Sequence, residues 1–255
     1  MVTIKDERFI RACLSLEGLS LGDAFGEKFF VHPDVVESLI AARAIPSASW
    51  WSYTDDTQMA LSIVSVLREC GIIDQEILAQ SFAARYDSGR GYGQTVQKLL
   101  AQIRDGESWQ KVASSLFGGQ GSYGNGAAMR VAPLGAFFAE DLSLVVSSAR
   151  ASAEVTHAHR EAIAGALAVA VAAAWAWRVK DSIPDPQDFL NSILPFVPDS
   201  EVRSKLILAR DLGETSVDSA VAVLGNGTLV SAQILFLLLS GVLLNTWIVT
   251  KKHCG

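Results

Sequence analysis

One segment restricts the fold more than any other. From His157 to Val179 the chain is Ala-rich and apolar nearly all round, with charge only at Arg160, Glu161 and Arg178. A surface helix is apolar along one stripe, whereas a helix apolar on every side is buried on most of them. The segment therefore predicts a central helix, and its alanines let neighbouring helices approach closely. Whatever surrounds it has to supply apolar stripes facing inward.

Those stripes are present. Asp6–Leu16 carries apolar residues at helical spacing. In Asp56–Cys70, Met59, Ile63, Val66 and Leu67 share a face, and Gly71 stands where a C-cap belongs. The same period continues in Asp74–Arg85 and Val96–Ile103. Alternating β-branched runs do not recur. Pro184, Pro186, Pro195 and Pro198 punctuate a loop-rich stretch between helices. No clean linker or internal repeat interrupts the pattern. With 255 residues, half of them hydrophobic, a single compact all-α domain has enough apolar surface to bury.

Charge and cysteine usage remove several function classes. A net charge of −6 argues against nucleic acid as a partner, although a local phosphate site remains compatible with it. Cys13, Cys70 and Cys254 are scattered and odd in number, so neither a disulfide framework nor a zinc spacing follows. Reduced thiols and a cytoplasmic location are expected. The charged first residues do not read as a signal peptide. The apolar run Ile234–Leu244 is shorter than the roughly 20 residues a spanning helix needs, and Asn245 and Thr246 follow it, so no membrane association is expected.

Four segments carry chemistry. In the first, Gly18, Gly22 and Gly26 recur at four-residue spacing, each costing a helix about 1 kcal/mol relative to Ala. Close helix packing or a ligand would offset that. Asp23 within it suits a cap or a supporting role, and Glu27 just beyond could face a site. In the second, Thr54-Asp55-Asp56-Thr57 follows Trp50-Trp51 at a helix start. One carboxylate suffices for an N-cap. Two adjacent ones repel, and a divalent cation relieves that repulsion. A Thr hydroxyl and two carboxylates are the oxygen donors a hard ion such as Mg²⁺ prefers. Metal ligation by Thr54, Asp55 and Asp56 is the sharper reading.

In the third, Gly118 to Gly126 holds five glycines in nine residues, around Ser122, Tyr123 and Asn125. Such a backbone can turn N–H groups toward an anion, and a following helix would add its positive end. A flexible surface loop is the alternative. The fourth is Thr156-His157-Ala158-His159. Two histidines two residues apart cannot share a helix face, so the choice lies between one buried, hydrogen-bonded His and a ligand-contacting His157.

Taken in this order, the segments resemble the ADP-ribosylglycohydrolase family over roughly residues 8–233. Thr54-Asp55-Asp56-Thr57 and the run Ser122 to Arg130 carry the likeness. Gly22-Asp23-Ala24, Thr156-His157 and Leu224-Gly225-Asn226-Gly227 agree with it. The resemblance implies an all-α fold around a two-Mg²⁺ centre and removal of ADP-ribose from modified protein side chains or related conjugates. Carried over by position, it makes Thr54, Asp55 and Asp56 metal ligands. Ser122, Tyr123, Gly124 and Asn125 become a diphosphate cradle, His157 a ligand contact, and Glu27 a neighbour of the reacting ribose. Catalysis would then fall to Glu27, Asp55 and Asp56.

The family's late Asp-x-Asp-Thr motif has no counterpart, because no Asp follows Asp218. The family typically continues with Asp-Thr-Val-Pro-Phe where this chain has Ile234-Leu235-Phe236-Leu237-Leu238. Loss of one base at the codon for Gln233 would produce that exchange. Back-translated in the restored frame, the remainder reads as an amphipathic helix, a short loop and another helix start. Third bases leave some of these residues to choice, but Trp247 followed by Ile248 requires Asp. The expectation is a C-terminally truncated domain over 1–233 followed by a frame-shifted tail over 234–255. Loss of half the metal ligands would impair hydrolysis. An ADP-ribose-binding pseudoenzyme and a non-functional truncated product are the alternatives.

Overall fold

The computed structural model describes residues 6–45, 50–182, 184–212 and 217–225. Among them there are helices and short 3-10 turns but no strand, as the periodicity requires. The first helix, α1 (Glu7–Gly26), is capped by Asp6, whose side chain accepts from the Arg8 amide. It runs well past the expected end at Leu16 and takes in Gly18 and Gly22. Close packing does not explain those glycines. No described atom lies within 4 Å of where a Cβ would stand at Gly18, Gly22 or Gly26.

Then come α2 (Pro33–Ala41), α3 (Asp55–Cys70), α4 (Gln75–Arg85), α5 (Gln94–Arg104) and α6 (Trp109–Gly119). The regular ladder of α6 breaks at Leu116, where the backbone turns extended, and Phe117 and Gly118 are left-handed at φ 53° and 69°. The apolar face foreseen on α3 is buried, with Met59, Ile63, Val66 and Leu67 at most 1% exposed. Gly71 ends that helix in the left-handed conformation at φ 73°, the geometry glycine tolerates at a C-terminus. Asp74 is the cap of α4 rather than its first residue, accepting from the Ile77 amide.

The remaining helices are α7 (Ala132–Phe137), α8 (Leu142–Glu154), α9 (Arg160–Arg178), α10 (Pro186–Ile193), α11 (Glu201–Leu212) and α12 (Val217–Leu224). The proline-rich stretch is less loop-like than expected. Pro186 opens α10, where its missing N–H is no loss and its fixed φ suits the first helical turn.

The Ala-rich segment is the central element. As α9 it begins at Arg160 and packs against α7, α8, α10 and α11. Its length and composition would let it cross a membrane, but inside this fold the same composition is met by burial. At Gly135 of α7, a Cβ would collide with the Ala170 carbonyl of α9, so this crossing needs glycine. Long-range polar contacts then tie the shell together. Arg11 of α1 is buried and donates to the carbonyls of Ala136 (3.1 Å) and Phe137 (3.3 Å) at the end of α7. Glu161 of α9 accepts from the Glu201 and Val202 amides, capping the positive end of α11.

Helix α12 ends at Leu224, and Gly225 follows in a left-handed conformation at φ 103°. The expected boundary after Gln233 and the tail over 234–255 lie outside the described residues, as does Cys254. Cys13 and Cys70 are free thiols.

Candidate functional site

The first and second chemical segments meet at the N-terminus of α3, and the third meets the fourth just before α9. Thr54 occupies the N-cap position but caps nothing with its own side chain. Asp23, from α1, does that work. Its carboxylate accepts the Thr54 amide (2.8 Å) and hydroxyl (2.6 Å), and the Thr57 amide (3.1 Å) and hydroxyl (2.6 Å). A carboxylate beside the positive end of a helix is favourable on both hydrogen-bonding and dipole grounds. The backbone entering the helix is pinned as well. Arg90 donates to the Tyr53 carbonyl at 3.0 Å and stacks over the Tyr53 ring at 3.8 Å.

With Asp23 capping, Asp55 and Asp56 are spare. Burial, first of all, pushes the Asp55 carboxyl up to about 6. Its own backbone amide and the Arg130 charge oppose the rise, while the Asp23 and Glu27 charges add to it. Burial likewise pushes Asp56 up to about 7, with Asp55 and then Asp23 as the repelling neighbours. Half-buried like charges at adjacent positions are an unfavourable arrangement unless a proton or a cation sits among them. The Thr54 hydroxyl has committed its proton to Asp23, so its lone pairs are what it could offer a cation. These are oxygen donors of the kind a hard divalent ion takes. Among the described residues no group of three or more His, Cys, Asp or Glu side chains is arranged to hold a metal.

Glu27 opens a 3-10 turn, Glu27–Phe29, just after α1 and is exposed. An aromatic contact binds this turn to the approach to α3: Phe25 lies 5.2 Å from Phe29 and 5.7 Å from Trp51. Glu27 lies near enough to Asp55 for its charge to add slightly to the rise there.

The glycine segment is ordered rather than loose. Gly118, Gly119 and Gly121 take φ of 69°, 90° and 76°, which only glycine adopts freely. Gly121 and Gly126 lie flat against the residues preceding α9. A Cβ at Gly121 would come within 2.7 Å of the His159 amide nitrogen, and one at Gly126 within 2.6 Å of His157 Cε1. Ser122 is buried and its hydroxyl accepts from the Gly124 amide at 3.4 Å. Tyr123 is half exposed, between Phe117 at 5.7 Å and the edge of His159 at 6.0 Å. Asn125 begins a single 3-10 turn, Asn125–Ala127. The helix expected to follow directly starts only at Ala132 and is one and a half turns long, so its dipole is a minor contributor here.

His157 and His159 precede α9 instead of lying on it. His159 caps it through Nδ1, accepting from the Glu161 amide. His157 is buried, and its Nδ1 is 2.7 Å from the Thr156 hydroxyl. Burial and the Arg130 charge lower its pKa to about 3, so it is neutral at any physiological pH.

Arg130 joins the two halves. It is fully buried and donates to the Ser152 carbonyl and the Thr156 hydroxyl, both at 2.9 Å, and toward the Met59 sulfur of α3 at 3.5 Å. Its guanidinium lies over the Phe82 ring at 4.4 Å. Burial lowers its pKa to about 9, against the favourable fields of Tyr92 and Asp55, and it remains a cation at neutral pH. Tyr92 had no signal in the sequence. It is buried near Asp55, and burial, with the Asp55 charge, pushes its phenol well up.

Comparison with known proteins places the chain in a family. A family model described as ADP-ribosylglycohydrolase matches residues 4–245. ADP-ribosylhydrolase ARH3 of Xenopus tropicalis is 36% identical over 157 residues, covering 56% of this chain and 44% of that protein. The human protein of the same name is 34% identical over 220 residues, covering 80% and 59%. An uncharacterised protein of Archaeoglobus fulgidus is 30% identical over 234 residues, covering 87% and 72%. The chain thus spans about half the length of the first curated relatives it matches. By the family match over nearly the whole chain, with which the helical fold of the described residues agrees, the chain belongs to the ADP-ribosylglycohydrolase family.

Proposed function

We propose that the chain carries its family's hydrolase chemistry, the removal of ADP-ribose from modified side chains or related conjugates, in a Mg²⁺-dependent and impaired form. The observation that carries this reading is the start of α3. Asp23 takes over the capping role there and leaves Asp55 and Asp56 adjacent, half-buried and without a capping duty.

In this reading Thr54, Asp55 and Asp56 hold Mg²⁺, which when bound supplies Lewis-acid polarisation and an activated water. Ser122, Tyr123, Gly124 and Asn125 receive the diphosphate, with the left-handed glycines before them shaping the loop. His157 contacts the ligand as a neutral imidazole. Glu27 stands at the open side of the site, where an exposed carboxylate can exchange protons with the reacting ribose. The impairment follows from ligand number. Mg²⁺ wants six oxygen positions, and residues 219–255 hold no Asp to complete them. The same sequence fact favours a second reading, a chain that binds ADP-ribose without cleaving it. We place either protein in the cytoplasm, with no nucleic acid or membrane partner.

Calorimetry with ADP-ribose, with and without Mg²⁺, together with a turnover assay on an ADP-ribosylated peptide, separates these. Metal-dependent binding with slow release of ADP-ribose supports the hydrolase. Binding indifferent to Mg²⁺ and without turnover supports the binding protein. No binding under either condition removes both and leaves a non-functional product.

A further inference from the structure

Arg130, Thr156 and His157 are linked in a line, and hydrogen-bond accounting favours one arrangement of the protons along it. Arginine has donors and no acceptor. The 2.9 Å contact from Arg130 Nη2 to the Thr156 hydroxyl therefore uses a lone pair of that oxygen. The hydroxyl keeps one proton to give and one lone pair. Its other recorded neighbour is His157 Nδ1, at 2.7 Å. If Nδ1 carried the ring proton, the hydroxyl would accept twice and its own proton would be left without an acceptor. Donation from the hydroxyl to Nδ1 satisfies both groups, and on a neutral ring it puts the single proton on Nε2.

We propose that Arg130 and Thr156 are positioning residues that lock His157 as the Nε2–H tautomer and aim that N–H at the glycine loop. The loop is placed to use it. A Cβ at Gly126 would stand 2.8 Å from Nε2, so the ring presses on the backbone beside Asn125. Among the described residues Nε2 has no hydrogen-bond partner of its own. A fixed neutral donor there suits an anionic oxygen, a phosphate of ADP-ribose, and this last step rests on the ligand site proposed above. The buried cation thus acts on the ligand indirectly, by choosing which imidazole nitrogen carries the proton.

Nitrogen-15 NMR of the imidazoles reads the tautomer directly in the full chain, free of metal and nucleotide, with the His157 signals assigned by their loss in His157→Gln. The expected spectrum shows a single Nε2–H tautomer. Thr156→Val, similar in shape but without the hydroxyl, is expected to give a mixture of tautomers, and Thr156→Ser to restore the single one. A proton on Nδ1 in the unaltered chain, or an unchanged tautomer in Thr156→Val, overturns the relay. ADP-ribose titration then tests the ligand step. Thr156→Val should weaken binding about tenfold, the loss of one hydrogen bond of roughly 1.4 kcal/mol, and Thr156→Ser by less than about twofold. Equal affinity of all three chains overturns the aim of His157 at the ligand. Nε2–H in the unaltered chain with no ADP-ribose binding by any chain upholds the relay while refuting the functional reading.

Discussion

Asp23 and Thr54 stand 31 positions apart in the chain, yet the Asp23 carboxylate takes both the amide and the hydroxyl hydrogen of Thr54. The start of α3 is therefore set by α1 and not by its own neighbours. That arrangement is what leaves two adjacent carboxylates without a capping duty. It also makes Asp23 a stability residue of a site it does not enter.

Asp23→Ala removes an acceptor of four hydrogen bonds and uncaps a helix. The expected loss is about 2–3 kcal/mol of unfolding free energy, read as a lower urea midpoint at unchanged slope. Asp23→Asn keeps one oxygen but turns an amide toward donors, so it should recover little.

The pH dependence of the metal-free chain is the sum of two opposing contributions. Asp55 and Asp56 ionise in the unfolded chain near their ordinary value of 3.8, but hold protons in the folded one to about 6 and 7. The folded state then binds the more protons, and stability falls as pH rises from about 4 to about 7, by a few kcal/mol for the pair. His157 acts in the opposite direction over much of the same range. It protonates near 6.5 when unfolded and only near 3 when folded, so its contribution rises with pH from about 3 to 6.5. With two carboxyls against one imidazole, urea midpoints should show a net fall from pH 4 to 7. Asp55→Asn with Asp56→Asn should turn that fall into a rise, His157→Gln should steepen it, and Mg²⁺ should raise stability at the upper end of the range, where the carboxyls are ionised.

Gly126→Ala tests the contact between loop and imidazole. The new Cβ would sit 2.6 Å from His157 Cε1, too close for a buried ring that cannot swing away. A cost of about 1–3 kcal/mol is expected, with ADP-ribose affinity falling more than it does in Gly18→Ala, where no described atom is near the new carbon and the backbone is helical. Gly135→Ala, which drives a methyl onto the Ala170 carbonyl, should leave little soluble protein.

Sequencing the gene across the Gln233 codon tests the tail. A single added base should restore Asp-Thr-Val-Pro-Phe and, further on, Asp-x-Asp-Thr. The chain expressed from that frame should bind Mg²⁺ more tightly than this one in a manganese-competition titration. A frame that reads through without any such motif refutes the shift.

The helices were legible because their signals are local. Gly71 closes α3 where expected, and the uninterrupted apolar face of α9 could only be a buried helix. Asp55 and Asp56 stood out because two adjacent carboxylates exceed what a cap needs. What stayed hidden depends on distant partners. Nothing near Tyr92 in the chain signals that it is buried beside Asp55, and Arg130 read only as the end of a motif until Met59, Ser152 and Thr156 converged on it. The His157–Val179 segment was read as one helix. The chain instead spends His157 on the loop and His159 on the cap, and the helix starts at Arg160.

Arg130 belongs to both halves of the site at once, touching α3 through Met59 and the His157 segment through Thr156. This shared ownership separates two kinds of selection. Asp55 and Asp56 matter only while a metal is held, whereas Arg130 matters to both halves. In any relative that bound ADP-ribose without cleaving it, the aspartates should drift before the arginine, and the order of loss would separate the end of catalysis from the end of binding.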